Sequence, residues 1–344
     1  PLELINEYGA DSLRFTLISM ASPGRDVKLS KDRVIGNRNF ITKIWSANNF
    51  LKLNKCKLEK TLNLKKIKLP VNQWIFNEFI KTQDQVSKNI EIFRFDEAAK
   101  HVYQFVWHSY CDWYLEFLKP ILNSNNKLEI KEVKIFSSFM MSNILKILHP
   151  FVPFFTETIW SINNYKKFHK NFLISSVWPK YNKLKNFDKS HKNINDLIEL
   201  ISNIRSTKAE LKITPKLFCE VSFSEKSGKL KNLINSNLNL IKQVGRIKGF
   251  YKKDANNKNS VEILTLKEKI TLKFDENINL ISQKDRILEK IGEITVKISK
   301  INNKLENKAY VTKAPEDIVK NDKNLLKELT IEHEKLRSIV SSIT

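Results

Sequence analysis

The chain has 344 residues, of which 41% are hydrophobic and 28% are charged, and its formal net charge is +23. This composition supports packed cores and excludes a globally disordered chain. The positive charge favours a polyanionic partner, either nucleic acid or an anionic membrane surface, although frequent lysine and asparagine throughout the chain offer a purely compositional explanation for part of it.

The charge is unevenly distributed along the chain. Residues 161–275 contain 24 basic and 10 acidic residues and carry a net charge of +14, whereas residues 1–160 carry +7 and residues 276–344 carry +2. The middle segment therefore has the strongest attraction for a polyanion.

Cysteine usage and hydropathy indicate a cytoplasmic protein. Cys56, Cys111 and Cys219 are far apart and form no CxxC or Cys/His cluster, so neither a zinc site nor a disulfide framework is predicted. No apolar run approaches the ~18 residues of a membrane span, and no signal peptide opens the chain. We expect no membrane contact and no bound metal.

The first half of the chain predicts a helical bundle. Two short helices flank a break at Gly9, with Asp11 or Ser12 as the cap of the second. Apolar spacing then predicts further antiparallel helices. Their expected ranges are 34–53, 71–92, 95–119 (ended by Pro120), 129–148 and a helix starting near Thr156.

The helix predicted over 34–53 combines an apolar side with an unusual polar side. Its apolar residues are Phe40, Ile41, Ile44, Trp45 and Leu51. Its polar side contains Asn37, Arg38, Asn39, Lys43 and Asn48. Amides, cations and aromatic edges are the groups that read unstacked bases in RNA. The alternative interpretation is an ordinary bundle helix whose polar face is solvated.

The second half predicts a small α+β unit followed by a coiled coil. A helix over 193–211, a strand over 217–223, a helix over 230–244, a strand over 245–253 and two strands within 260–274 are expected. Two heptad series then run from Leu280 to Leu305 and from Ile318 to Ile343, the second including Leu325. They are joined by a loop at 307–315, and this pattern predicts an antiparallel hairpin.

At this point the sequence resembles the C-terminal part of a bacterial valyl-tRNA synthetase, a class I aminoacyl-tRNA synthetase. The resemblance covers essentially the whole chain. It is carried by PLELINEYGADSLRFTLISMASPGRDVKLS, GNRNFITKIWSANNF, HPFVPFFTETIW, NIRSTKAELKITPK and ENKAYVTKAPEDIVKNDKNLL. The MASPGRD segment and the last of these separate valyl enzymes from their isoleucyl and leucyl relatives.

Two departures from the family pattern matter. The family often has arginine where this chain has Asn49. The KMSKS loop that binds ATP lies just before the family segment that matches Pro1, and the HIGH motif and editing domain lie further upstream. We therefore expect this chain alone to activate no valine and to edit no mischarged tRNA.

The resemblance implies a mainly α fold and a function in tRNA placement. The expected parts are the stem-contact end of the catalytic core (1–30), the helical anticodon-binding domain (31–175), a small α+β connecting domain (176–275) and a coiled-coil tRNA-binding arm (276–344). The full enzyme joins valine to valine tRNA, using ATP and Mg²⁺, and edits mischarged threonine. We expect a monomer whose partner is valine tRNA.

The site residues follow from the resemblance together with the side-chain chemistry. The anticodon-binding candidates are Arg38, Asn39, Phe40, Lys43 and Trp45. We expect at least one of Phe40 and Trp45 to be purely structural. The candidates for contact with the tRNA backbone are Lys297, Lys300, Lys304 and Lys308. For each lysine the alternative is an ordinary solvated charge.

Two other functions stay open at the level of sequence. One is the corresponding region of an isoleucyl- or leucyl-type synthetase. The other is a stand-alone basic RNA-binding or scaffold protein without catalysis, which predicts strong salt dependence and little discrimination among tRNAs.

Overall fold

The structure is a computed structural model that describes residues 1–22, 24, 26–59, 62–169, 172–182, 187–224, 228–251, 259–275 and 277–343. It forms two compact units, unit 1 (Pro1–Asn195) and unit 2 (Asp196–Thr344). The division into four parts expected from the sequence stays a prediction.

Unit 1 is built of helices, as the apolar spacing predicts. They are α1 (Leu2–Tyr8), α2 (Ala10–Met20), α3 (Lys31–Leu53), α4 (Pro70–Glu91), α5 (Phe95–Gln104), a π-helical segment (Phe105–Tyr114), α6 (Leu115–Leu122), α7 (Lys127–Leu148), α8 (Pro153–Ile162), α9 (Lys166–His169) and the start of α10 (Asp188–Glu210). The predicted ranges differ from these by a few residues.

The break between α1 and α2 depends on Gly9, whose φ of 87° suits glycine. Gly9 itself occupies the N-cap position of α2, so the predicted caps Asp11 and Ser12 are wrong. Asp11 instead accepts a hydrogen bond of 2.6 Å from the backbone N–H of Phe155 in the first turn of α8. The sequence did not show this role because the two residues are 144 positions apart.

The helix predicted to end at Pro120 continues to Leu122 and contains the π-helical segment. Proline removes one backbone donor and disfavours a helix interior without forbidding it. Here the helix continues for only two residues after Pro120, which lies on its buried side. The predicted helix end before this proline is therefore wrong, because the helix ends at Leu122.

Glu132 on α7 organises the entry into α4. Its carboxylate accepts hydrogen bonds from the backbone N–H groups of Lys68 (3.0 Å) and Leu69 (2.9 Å) and from the Asn72 side chain (2.9 Å). Tyr114 on the π-helical segment donates to the same asparagine at 2.8 Å. A carboxylate at a helix start satisfies free N–H groups and suits the helix dipole, so these contacts fix three helices around the aromatic core.

Unit 2 contains a four-stranded sheet in the order β2-β1-β4-β3. Its elements are β1 (Cys219–Phe223), α11 (Gly228–Ser236), α12 (Leu238–Val244), β2 (Ile247–Phe250), β3 (Ser260–Thr265) and β4 (Glu268–Lys273). Strand β1 pairs parallel with β2 and antiparallel with β4, which pairs antiparallel with β3. The predicted α+β unit is confirmed, but the single helix expected over 230–244 is split at Asn237, whose φ of −129° interrupts it.

The chain ends in a helical hairpin of α13 (Ile281–Glu306), α14 (Lys308–Lys313) and α15 (Glu316–Ser342), so a short helix replaces part of the predicted loop. Ion pairing between Lys290 and Glu332 at 2.9 Å and a hydrogen bond from Tyr310 to Asp322 at 2.7 Å show antiparallel packing. The predicted hairpin is therefore confirmed.

The buried seam of α15 differs by one residue from the predicted seam at its distal end. Val319 is buried, whereas Ile318 is exposed and the predicted seam residue Leu325 is 44% exposed. Apolar pairs at 318/319 and 325/326 give the same periodicity in either register, so sequence alone does not choose between them. Near the base of the hairpin the predicted residues Leu336 and Ile339 are buried.

Candidate nucleic-acid interface

Helix α3 presents the predicted anticodon residues, and its sequence explains its position. Ser30 caps the helix by accepting a hydrogen bond of 3.4 Å from the backbone N–H of Arg33. Its buried stripe follows helical spacing and consists of Val34, Phe40, Ile44, Ala47, Asn48 and Leu51. The opposite side of the helix faces solvent.

Phe40 lies in the core of unit 1. It is 0% exposed. Its ring centroid lies 5.2 Å from that of Phe15, 4.7 Å from that of Tyr103 and 6.3 Å from that of Trp107. Phe40 therefore offers no surface to a base in this structure, and its place in the predicted anticodon cluster is corrected to a packing role beneath that surface.

Asn48 is also buried, although its position on the polar side of α3 predicted exposure. Its Oδ1 accepts a hydrogen bond of 2.7 Å from Asn163 Nδ2. Asn37, on the same polar side, donates to Thr16 Oγ1 at 2.8 Å. Each of these two amides makes one hydrogen bond that holds α3 against a neighbouring segment.

Lys43 is the centre of a surface that we name the lysine–tryptophan surface, formed by Lys43, Tyr103, Trp107, His108 and Asp112. The Lys43 ammonium lies 3.8 Å from the centroid of the Trp107 ring and 2.6 Å from Asp112 Oδ1. The rings of Tyr103 and Trp107 stack, with centroids 5.5 Å apart and planes inclined by 12°. His108 Nδ1 lies 3.3 Å from Asp112 Oδ2. Cation–π attraction and an ion pair thus hold the lysine in place.

Arg38, Asn39 and Trp45 are exposed on α3, Trp45 to 39%. Cationic and amide groups such as those of Arg38 and Asn39 hydrogen-bond to base edges and phosphates. Of the five predicted anticodon residues, the structure leaves Arg38, Asn39, Lys43 and Trp45 accessible and encloses Phe40.

Sequence reasoning missed Trp107 and Tyr103 as members of this surface. Both are half-buried, and both belong to one continuous helical run, Trp107 within the π-helical segment. The sequence signal was the aromatic density between Phe95 and Tyr114, which predicted a packed helix. Partly exposed aromatic side chains serve as platforms on which unstacked bases stack. Rare π-helical segments are also frequent at functional sites.

Burial and a nearby carboxylate affect the chemistry of this surface. Partial desolvation raises the pKa of Tyr103, and the negative charge of Asp112 raises it further. The phenol is therefore a neutral hydrogen-bond donor over the whole physiological range.

The predicted backbone-contact lysines lie on the arm. Lys297, Lys300 and Lys304 are exposed on α13 with spacings of three and four residues, so they form one stripe. The side chain of Lys308 lies outside the described part of the structure. A stripe of exposed ammonium groups is suited to phosphates and carries no base selectivity.

The described residues also contain a cavity that lies apart from the predicted anticodon residues. This cavity of about 870 Å³ in unit 1 is lined mainly by apolar groups such as Ile18, Phe151 and Trp178, and none of the predicted anticodon residues lines it. Within the described ranges, no group of three His, Cys, Asp or Glu side chains is placed to hold a metal ion. No described helix has the length and apolar character needed to cross a membrane.

Two families of tRNA-related domains match this chain. The anticodon-binding domain of tRNA ligase matches residues 72–223, which include Tyr103 and Trp107. The valyl tRNA synthetase tRNA binding arm matches residues 279–344, which include α13, α14 and α15.

Similar proteins extend these matches over the whole chain. The valine–tRNA ligase of Pelagibacter ubique is 40% identical over 343 residues, which are 100% of this chain and 39% of that protein. The chain is thus similar over its whole length to part of a valyl-tRNA synthetase. The valine–tRNA ligase of Mesorhizobium japonicum is 34% identical over 339 residues (98% of this chain, 36% of that protein), and that of Rhizobium meliloti is 33% identical over 345 residues (100% and 36%).

The two domain matches and the similar proteins agree with each other. The chain corresponds to the C-terminal region of valyl-tRNA synthetases and spans 36% to 39% of the length of the three relatives described above. The arm match names a valyl enzyme, which favours this family over the isoleucyl and leucyl alternatives left open by the sequence.

Proposed function

We propose that this chain is the tRNA-binding region of a valine–tRNA ligase and that valine tRNA is its partner. One observation carries the proposal: a match to an anticodon-binding domain and a match to a valyl tRNA binding arm occur in one chain that is similar throughout to valine–tRNA ligases. In this proposal the chain acts as a monomer in the cytoplasm.

In this function the α3 surface and the lysine stripe of the arm contact different parts of the tRNA. Arg38, Asn39, Lys43 and Trp45 contact the anticodon bases, with Trp107 as a stacking platform and Phe40 as its buried support. Exposed lysines of the arm contact tRNA phosphates, which fix register without reading sequence. A tRNA is rigid, so holding its anticodon positions its distant acceptor end, and such positioning supplies a large share of a reaction rate.

The activity of the longer enzyme is part of the proposal. The relatives are named valine–tRNA ligases, and we propose that this chain serves the same joining of valine to tRNA, with ATP and Mg²⁺ bound by other parts of the enzyme. Valyl enzymes are the standard case in which binding alone separates valine weakly from isosteric threonine, so editing accompanies the ligation. We expect the chain alone to show no valine-dependent exchange of pyrophosphate into ATP.

Competition binding tests the proposed function. Labelled valine tRNA is bound to the chain at moderate salt and challenged with unlabelled valine tRNA, isoleucine tRNA, and valine tRNA with an altered central anticodon base. We expect only unaltered valine tRNA to compete well. Equal competition by all three would assign the binding to the net charge of +23 and favour a general RNA-binding protein.

A pair of variants locates the selectivity on α3. Arg38→Ala removes a predicted base contact, and Arg33→Ala removes the same charge from the first turn of the same helix. We expect Arg38→Ala to reduce the preference for valine tRNA about 5- to 100-fold, as loss of a good base contact does. Arg33→Ala should leave the preference unchanged. Equal effects of both variants would remove Arg38 from the anticodon site.

A further inference from the structure

A cavity of about 320 Å³ in unit 2 is lined by the cationic side chains of Arg205, Lys208, Lys216 and Arg246. The other lining residues are neutral, and no carboxylate of the described chain lines it. Its walls come from three places in the sequence: α10, the segment that follows α10, and the turn between α12 and β2. The fold therefore brings four positive charges to one concave site.

Lys208 lies at the floor of this cavity and is only 2% exposed. Its ammonium donates hydrogen bonds to the carbonyl oxygens of Leu217 at 2.9 Å and Arg246 at 3.2 Å. These neutral partners satisfy its hydrogen bonds but not its charge. Burial lowers the pKa of Lys208. The neighbouring Cys219 side chain opposes this effect, and the positive charges of Arg205 and Arg246 add to it.

The rim of the cavity is exposed and held in shape by the backbone. Arg205, Lys216 and Arg246 are exposed. Arg205 Nη2 donates to the carbonyl oxygen of Val244 at 2.9 Å, at the end of α12. Arg246 has a φ of 54°, a left-handed conformation uncommon for arginine, and its carbonyl receives the Lys208 bond. The turn that carries Arg246 is thus hydrogen-bonded to Arg205 and Lys208 on α10.

The buried charge of Lys208, with Lys216 and Arg246 nearby, favours an anion in this cavity. A buried ammonium without a negative partner is costly, and further cations at the same site add repulsion. Guanidinium groups match the oxygens of phosphate with paired hydrogen bonds. The surrounding segment 161–275 carries a net charge of +14, which attracts a polyanion more strongly than an isolated small anion.

We propose that this cavity is a phosphate site that takes a backbone phosphodiester of the bound RNA. Arg205, Lys216 and Arg246 contact the phosphate oxygens from the rim, and Lys208 acts from below through its charge. The site rests on the proposed function, since its RNA is the tRNA of that proposal. It adds to that function a third contact region, placed in the α+β unit.

The test compares the tRNA affinity of the whole chain with that of two charge-matched double variants. Lys216→Ala/Arg246→Ala removes two rim cations. Lys267→Ala/Lys269→Ala removes two exposed cations, Lys267 from the turn between β3 and β4 and Lys269 from the start of β4. We expect the rim variant to bind all tRNAs about 10-fold more weakly and to lower the slope of log K against log salt by about 1.5. The control variant should change neither quantity appreciably.

Circular dichroism and a third variant distinguish loss of the phosphate site from loss of the folded structure. The rim residues are exposed, so the rim variant should keep the native spectrum. Lys216→Arg/Arg246→Lys keeps the charge at both positions and should restore most of the affinity. Equal affinities of the rim and control variants would overturn the site, provided that the unaltered chain binds tRNA.

A second experiment titrates the chain with inorganic phosphate. NMR chemical shifts of the backbone amides around Arg246 report the binding. We expect weak saturable shifts that the rim variant abolishes and that tRNA displaces. If the unaltered chain binds no tRNA, the proposed function fails, and phosphate binding at the cavity would then identify a small-anion site and overturn the RNA assignment. No phosphate shifts and no rim effect would overturn the site altogether.

Discussion

The ammonium of Lys43 contacts both an aromatic ring and a carboxylate. The strength of these two contacts decides how easily the lysine side chain can be displaced. The ammonium lies 3.8 Å from the Trp107 centroid and 2.6 Å from Asp112. A partly exposed ion pair contributes about 0–1 kcal/mol and an exposed cation–π contact about 0.5–1 kcal/mol. An incoming base or phosphate therefore displaces the lysine at low cost, and the same side chain then becomes available to RNA.

Asp96 is a buried carboxylate whose ionisation stabilises unit 1. It is 7% exposed and accepts hydrogen bonds from Arg94 Nε (3.0 Å), Arg94 Nη2 (2.9 Å) and Ser22 Oγ (2.9 Å). The Arg94 guanidinium, helped by the Glu97 backbone N–H and Ser22, lowers the pKa of Asp96 to about 2 against the cost of burial. Its folded pKa is thus below that of the unfolded chain, which is about 3.9.

We therefore predict an acid-dependent effect of Asp96→Asn. A depressed folded pKa stabilises the protein above the unfolded pKa and loses that contribution as pH falls toward the folded pKa. Because Arg94 is partly solvated, we expect a loss of about 1–2 kcal/mol at pH 7. About half of this difference should remain at pH 3. Urea unfolding at pH 7 and pH 3, followed by tryptophan fluorescence, measures both values for unit 1, which contains every tryptophan of the chain.

Asp32→Asn provides the control for this prediction. Asp32 is also acidic and lies in the first turn of a helix, but it is exposed. Its substitution should change the free energy of unfolding by less than about 0.5 kcal/mol at pH 7. An Asp96→Asn defect that is equally large at pH 3 and pH 7 would show that lost packing, and not lost charge, causes it.

At the scale of whole elements, periodicity predicted most of the architecture. The helices of unit 1, the strands of unit 2 and the hairpin all appear near their expected positions because apolar spacing reports which face is buried. Where neighbouring residues are both apolar or both polar, spacing does not separate them. Hence spacing predicts Ile318 in the buried seam of α15, where the structure has Val319. It also predicts Asn48 on the exposed face of α3, whereas Asn48 is buried.

The candidate site was less predictable than the fold for a different reason. Residues on α3 were found because they share one helix. Trp107 joins Lys43 from a helix 64 positions away, and the cavity around Lys208 collects residues from three segments. Such contacts depend on tertiary packing, so neither composition nor periodicity contains them.

The register of the hairpin gives a prediction for the elements α13 and α15. Leu336 is 0% exposed and Leu325 is 44% exposed. Leu336→Ala should cost about 2–5 kcal/mol, because it opens a cavity in the seam. Leu325→Ala should cost less than about 1 kcal/mol. Two compact units need not unfold in one step, so we choose amide hydrogen exchange along both helices as the measurement.

Each outcome for this pair has a structural meaning. Faster exchange in α13 and α15 for Leu336→Ala alone supports the register in which Val319 is buried at the distal end. Comparable losses of protection in both variants would instead favour the seam expected from the sequence, in which Leu325 packs against α13.

At the scale of the whole molecule, we expect the arm (α13, α14 and α15) to bind tRNA phosphates and the helical unit 1 to read anticodon bases. Lys297, Lys300 and Lys304 form one exposed stripe on α13, and Lys320, Lys323 and Lys327 form a stripe of the same spacing and charge on α15. Replacing either set by alanine removes three positive charges from the hairpin. Comparing the two triple variants therefore separates the effect of where the charges lie from the effect of how many charges are lost.

We predict that the α13 triple variant binds valine tRNA more weakly and with a salt slope lower by about 2, because each lost phosphate contact removes somewhat less than one unit of slope. Its preference for valine tRNA over isoleucine tRNA should be unchanged, since phosphate contacts do not read bases. The α15 triple variant should bind nearly as well as the unaltered chain. Titrations at several salt concentrations with both tRNAs measure all three quantities. Equal weakening by both triple variants would mean that the hairpin attracts RNA through its total charge, and that the α13 stripe is not a specific contact surface.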